Sequence, residues 1–107
     1  MNKKDILARL RKELHENARL DEGLVKVHRP WVIVEFQSAF GDNFDIPVFV
    51  GLWGVAKICW PDKWSKQRGM ILAYNRALAW GAKKAYAVLF EDGWAEDTEI
   101  LMDVLNG

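Results

Sequence analysis

Residues 31–36, WVIVEF, constrain this chain more than any other stretch. Branching at Cβ in Val32, Ile33 and Val34, with an aromatic ring at either end, disfavours a helix and favours a pleated strand. Successive strand side chains point to opposite faces, so Trp31, Ile33 and Glu35 share one face and Val32, Val34 and Phe36 the other. Both faces are largely apolar, which predicts a central strand covered on two sides. The rest of the chain must supply its neighbours and its cover.

Upstream, Ile6, Leu7, Leu10, Leu14 and Ala18 recur at spacings of three and four among Lys, Arg and Glu. Residues 3–20 are therefore expected as an amphipathic helix packed on the sheet and stopped by Gly23. LVKV is extended, and Pro30 interrupts before WVIVEF resumes. QSAFGDNFD reads as a loop. IPVFV and VAKICW read as two strands joined through GLWG as a Gly-bracketed turn, with Pro47 placing the first at an edge. Ser65 suits the N-cap of a helix running to about Trp80, and Gly81 suits its C′ position. KAYAVLFE reads as a further strand. GWAEDTEILMDVLNG closes as a short helix with acids in its first turn, where the helix dipole favours them. The order α-β-β-β-α-β-α gives an α+β fold, a small sandwich of helices on an antiparallel or mixed sheet, in a single domain over residues 1–107.

Half of the residues are hydrophobic, enough for a real core. The single cysteine, Cys59, has no internal disulfide partner, which suits a reducing compartment. Charges break up the N-terminal stretch, and the apolar runs WVIVEF and VFVGLWGVA are too short to span a bilayer. The expectation is a soluble, cytoplasmic protein. Formal net charge is zero, which argues against binding polyanions through bulk charge. The layout is uneven, however. Residues 57–90 carry seven bases against one acid, Asp62, and residues 91–107 carry six acids and no base. The acidic segment either matches the basic helix internally or forms a second binding surface.

Residue types able to do chemistry are sparse. Cys59, His15 and His28 lie too far apart in sequence for a zinc motif. Cys59 reads as a small buried hydrophobe, with His28 the one base that sheet pairing could bring near. Neither serine lies in a G-x-S-x-G elbow, and GLWG lacks the lysine and following helix of a phosphate loop. Glu35, in an apolar strand, is the remaining acid–base candidate and reads first as structural. The expectation is a protein that is not an enzyme and uses no cofactor or metal.

The stretch CWPDKWSKQRG reads first as a junction. Pro61 and Asp62 break the strand, Ser65 caps the helix, and Lys66 and Arg68 sit in its first turn. Free N–H groups there already favour anions, while cations are mildly unfavourable to the helix itself. Lys63, Lys66, Arg68 and Arg76 could together form a basic stripe, with Trp64 and Trp53 as stacking rings for nucleic acid. Ile71, Tyr74 and Leu78 form a separate stripe towards the core.

The run GVAKICWPDKWSKQRGMILAYNRALAWG resembles a segment found in small accessory proteins of phages and other mobile elements. The matching positions are Cys59, Asp62, Trp64, Ser65, Lys66, Gly69, Ala73, Arg76 and Ala77. Trp64 stands where the pattern has Phe and Asn75 where it has Gly; Gly69 permits close helix packing. The resemblance covers roughly a quarter of the chain and implies a phage-type protein that occludes host machinery, inhibitors of bacterial immunity such as anti-CRISPR proteins among them. Its partner would be a host protein or nucleoprotein complex, masked partly by the acidic side chains of Glu96, Asp97 and Glu99. Direct nucleic-acid binding through residues 63–76 is the alternative. A homo-oligomer formed through the edge strand VFVGLWG is a further one.

Overall fold

The structure, a computed structural model, describes residues 2–40, 48–59 and 62–91. The closing helix expected after residue 92, with Glu96, Asp97 and Glu99, lies outside the described residues.

Helix α1 (Lys3–Glu16) leads into β1 (Arg19–His28), β2 (Trp31–Phe40) and β3 (Val48–Lys57). Helix α2 (Lys66–Tyr86) follows and widens into a π-helical turn over Ala87–Glu91. The strands form an antiparallel sheet in the order β1-β2-β3, with β1 and β2 joined across a cis Arg29–Pro30 peptide. The fold is α+β, helices on an antiparallel sheet, and WVIVEF opens its central strand.

Asn2 caps α1, its side-chain oxygen accepting the Asp5 N–H at 2.9 Å. Ile6, Leu10 and Leu14, four residues apart, are its buried face. The helix ends earlier than its apolar spacing predicts because Asn17 turns back, its amide and its backbone N–H both donating to the Glu13 carbonyl. Gly23, expected as the stop, lies inside β1 where the register with β2 shifts. A Cβ there would come within 3.0 Å of the Leu20 and Glu35 carbonyl oxygens.

Both helices pack on the face of Val32, Val34 and Phe36, so the expected two-sided cover of β2 is one-sided among the described elements. The alternation itself holds: Val32, Val34 and Phe36 are buried, and Trp31, Ile33 and Glu35 are not.

GLWG is no turn. β3 runs straight through it because Gly54 faces α2, where a Cβ would come within 2.8 Å of the Ala77 nitrogen and 2.9 Å of the Ala73 carbonyl carbon. The helix answers with small residues at every fourth position, Gly69, Ala73, Ala77, Gly81 and Ala85, all buried. Gly69 lies on the Val32 side chain and Gly81 on Leu52, so the helix crosses the sheet diagonally at close range. Gly81 thus serves packing and does not end the helix. The strand expected at 84–91 is helical instead, since its alanines favour helix and Leu89 is buried in the shared core.

The helices are antiparallel neighbours. His15 Nδ1 and the Tyr74 hydroxyl meet at 2.6 Å at one end, and Lys3 lies 4.8 Å over the Tyr86 ring at the other. Partial burial of Tyr74 holds its hydroxyl above the ordinary tyrosine pKa. Ser38, fully buried, donates to the Leu14 carbonyl and ties α1 to β2. Losing that hydroxyl would strand a buried acceptor, a cost of about 1–3 kcal/mol.

Candidate nucleic-acid interface

The sheet face that neither described helix covers, the helix-free face below, follows from register. Residues paired across neighbouring strands share a face, so five rows can be read along β2. They are His28–Trp31–Lys57, Lys26–Ile33–Val55, Leu24–Glu35–Trp53, Arg19–Gln37–Gly51 and Ala39–Phe49. Trp31 is 43% exposed, Trp53 51% and Phe49 53%, far more than rings that serve a core. Successive rings lie four residues apart along the strands, about 13 Å.

Cations accompany these rings. Lys57 Nζ is 5.2 Å from the centre of Trp31, and the Arg19 guanidinium is 4.7 Å from that of Phe49. Lys26 and His28 are exposed on the same face. Beside Trp53, the Trp80 ring of α2 stands 5.8 Å away and carries Lys84 at 4.1 Å. Each contact contributes about 0.5–1 kcal/mol at an exposed site. Their larger consequence is to hold positive charge beside exposed aromatic rings.

Leu24, Glu35, Gln37, Gly51 and Trp53 bound an open hollow of about 490 Å³, with Trp80 and Lys84 at its rim. Gly51 forms part of its floor, since a Cβ there would meet nothing within 4 Å. The outer edge of β3 is guarded: Arg76 Nη1 donates to the Val55 carbonyl at 2.8 Å. Arg76 therefore closes a backbone acceptor while its charge stays at the border of the face.

The helix entrance is distributed differently from the basic stripe expected there. Ser65 caps α2 as expected, its hydroxyl accepting the Arg68 N–H at 3.2 Å. Arg68 faces Asp62 at 3.5 Å, with both side chains half exposed, so part of the positive charge is matched locally. Trp64 is partly buried under Arg29, whose guanidinium lies 4.8 Å from its ring centre. Lys63 and Lys66 are exposed. Of the residues singled out from sequence, Trp53 and Arg76 join the sheet face and its border. Lys63, Trp64, Lys66 and Arg68 stay together at the entrance.

Trp31, Phe49, Lys57, Lys26 and Arg19 were not among the residues expected to bind. Their signal was present in the alternation of β2 and β3, which puts every second residue of VFVGLWGVAK on one face with Trp31. Taking the apolar side of a strand as core concealed it.

Cys59 is exposed just beyond β3, contrary to the burial expected of it, and no hydrogen bond joins it to His28. Among the described residues, no three His, Cys, Asp or Glu side chains gather as metal ligands would, and no helix is long and apolar enough to cross a membrane. The sequence matches no protein-family model, no curated protein and no solved structure.

Proposed function

We propose that this chain is a non-enzymatic binding protein whose working surface is the helix-free face of the sheet, and that its ligand is single-stranded nucleic acid. The observation that carries this reading is the display of Trp31, Trp53 and Phe49 on one open face, with Lys57, Lys84 and Arg19 beside the rings. Unpaired bases stack on aromatic rings at about 1–3 kcal/mol each, and cations beside the rings meet the phosphates. A duplex keeps its bases stacked on each other and gains little from such a face.

The test is a titration of fluorescently labelled ten-nucleotide single strands of RNA and DNA, with tryptophan emission followed in parallel. Three or four phosphate contacts give a salt slope that weakens binding about twenty- to fiftyfold between 50 and 200 mM salt. Tryptophan emission should be quenched and a duplex of the same length should bind more weakly. Affinity independent of salt, or no binding at low salt, would contradict the reading.

A second reading, the phage-type accessory protein that masks a host protein or nucleoprotein complex, has its own support. Leu20, Leu24, Val25, Met70, Ile71 and Tyr74 line an apolar groove of about 280 Å³ between β1 and α2. Exposed apolar side chains around a groove suit a protein partner, inhibitors of bacterial immune complexes included. Retention of a host complex that is lost on Ile71→Asp and unaffected by nuclease would favour it.

A further inference from the structure

Glu35 is the one acidic side chain in the five rows of the open face, and it stands where a binder of phosphate alone would not place one. It lies directly across from Trp53, two residues from Gln37, at the hollow floored by Gly51. Among the described residues it makes no hydrogen bond or ion pair. Its carboxylate is thus held between cationic rows without being consumed by either.

A carboxylate only accepts hydrogen bonds, and its two oxygens are satisfied best by two adjacent donors. Among the bases, guanine alone presents such a pair on its Watson–Crick edge, N1–H beside the N2 amino group. Adenine and cytosine each offer one amino donor next to a ring-nitrogen acceptor, which a carboxylate repels. Uracil and thymine offer one N–H between two carbonyls.

The hollow also has room for a base. Trp53 supplies a ring on one side, and Gly51 leaves the sheet surface bare where a side chain would otherwise stand. The Gln37 amide offers a donor for the remaining guanine oxygen. Lys84, on the Trp80 ring at the rim, is placed for the attached phosphate.

We infer that the hollow at Glu35, Gln37, Gly51 and Trp53 is a guanine-reading subsite on the nucleic-acid surface. This rests on the single-strand reading above and adds base identity to it. Glu35 is a specificity-determining residue that acts at the base edge, while Trp31, Phe49 and the cations bind any sequence.

The experiment compares four labelled ten-nucleotide RNAs: alternating uridine–guanosine, uridine–inosine, uridine–adenosine, and all uridine. Anisotropy is read for the wild type and for Glu35→Gln at one salt concentration. The guanosine strand should bind about tenfold tighter than the adenosine and uridine strands, in line with one bidentate contact. Inosine keeps N1–H and loses the N2 amino group, so its affinity should fall between them. Glu35→Gln should erase most of the guanosine preference while leaving all-uridine binding equal or tighter, since a negative charge has gone.

Equal affinity for all four strands in the wild type would overturn the guanine subsite and leave single-strand binding in place. A guanosine preference unchanged in Glu35→Gln would equally overturn it. Absence of binding to every strand would remove the subsite together with the reading beneath it. The inosine comparison uses only the unaltered protein, so the inference stays testable even if the variant misfolds.

Discussion

Alanine at both Trp31 and Trp53 is expected to weaken single-strand binding by at least about thirtyfold while the protein stays folded. Each ring is open on the helix-free face, so each loses a stacking partner worth about 1–3 kcal/mol in the complex. The folded state loses much less. Trp31 contacts Lys57 through a cation–π pair, and Trp53 leans on Trp80 at 5.8 Å, contacts that together support about 1–2 kcal/mol. Urea unfolding should therefore remain cooperative with a modestly lower midpoint, and anisotropy should show affinity collapsing. Retained affinity in the folded double variant would remove the rings from the interface. Global unfolding would show that they serve the fold.

The second large effect concerns the seam between α2 and β3. Gly54→Ala should lower the melting temperature by more than about 10 °C. The new Cβ would land on the Ala73 carbonyl and within 2.8 Å of the Ala77 nitrogen, backbone atoms that cannot rotate aside. The helix has to lift, and its contacts through Gly69, Ala77 and Gly81 loosen with it; overpacking of this kind costs about 3 kcal/mol or more. Gly51→Ala is the matched control, three residues away along β3 on the opposite face, where nothing lies within 4 Å of the added carbon. It should leave stability unchanged or raise it by about 0.5–1 kcal/mol. Thermal melts of the pair would settle whether close approach at Gly54 holds the two layers together. Equal melting temperatures would contradict that.

These two glycines also explain where the sequence was legible and where it was not. Local signals transferred well. The stripe Ile6, Leu10 and Leu14 marks α1, Ser65 marks the start of α2, and the alternation in WVIVEF divides β2 into the faces observed. Glycine was the difficult letter, because the same residue serves turns, helix ends and close packing. Gly54 reads as half of a turn and is a point of helix contact. Gly81 reads as a helix stop and is buried within the helix against Leu52. The four-residue spacing from Gly69 through Ala85 would have resolved the second case, since a stripe of small residues on one helix face signals close approach. Gly69 shows this, as its packing on Val32 follows the spacing of the junction motif.

The candidate site was legible only in part for a different reason. Trp53 and Arg76 stood out as an aromatic and a cation, but the surface that gathers Trp31, Trp53, Phe49, Lys57 and Lys84 is made by register and by Trp80 reaching the β3 border. Pairing of distant strands is not visible from either strand alone. Apolar alternation also cannot say which face the helices choose. The helices pack on Val32, Val34 and Phe36, while Trp31 on the other face stays 43% exposed.

Residue-resolved NMR of the labelled protein separates binding at the open sheet face from binding at the helix entrance. Adding the guanosine-containing strand should shift the indole N–H signals of Trp31 and Trp53 and the backbone amides of β2 and β3 around Glu35 and Gly51. Lys63, Lys66 and Arg68 should move little. Shifts confined to residues 62–69, with both indole signals unmoved at saturation, would remove the sheet face as the binding surface and place binding at the start of α2.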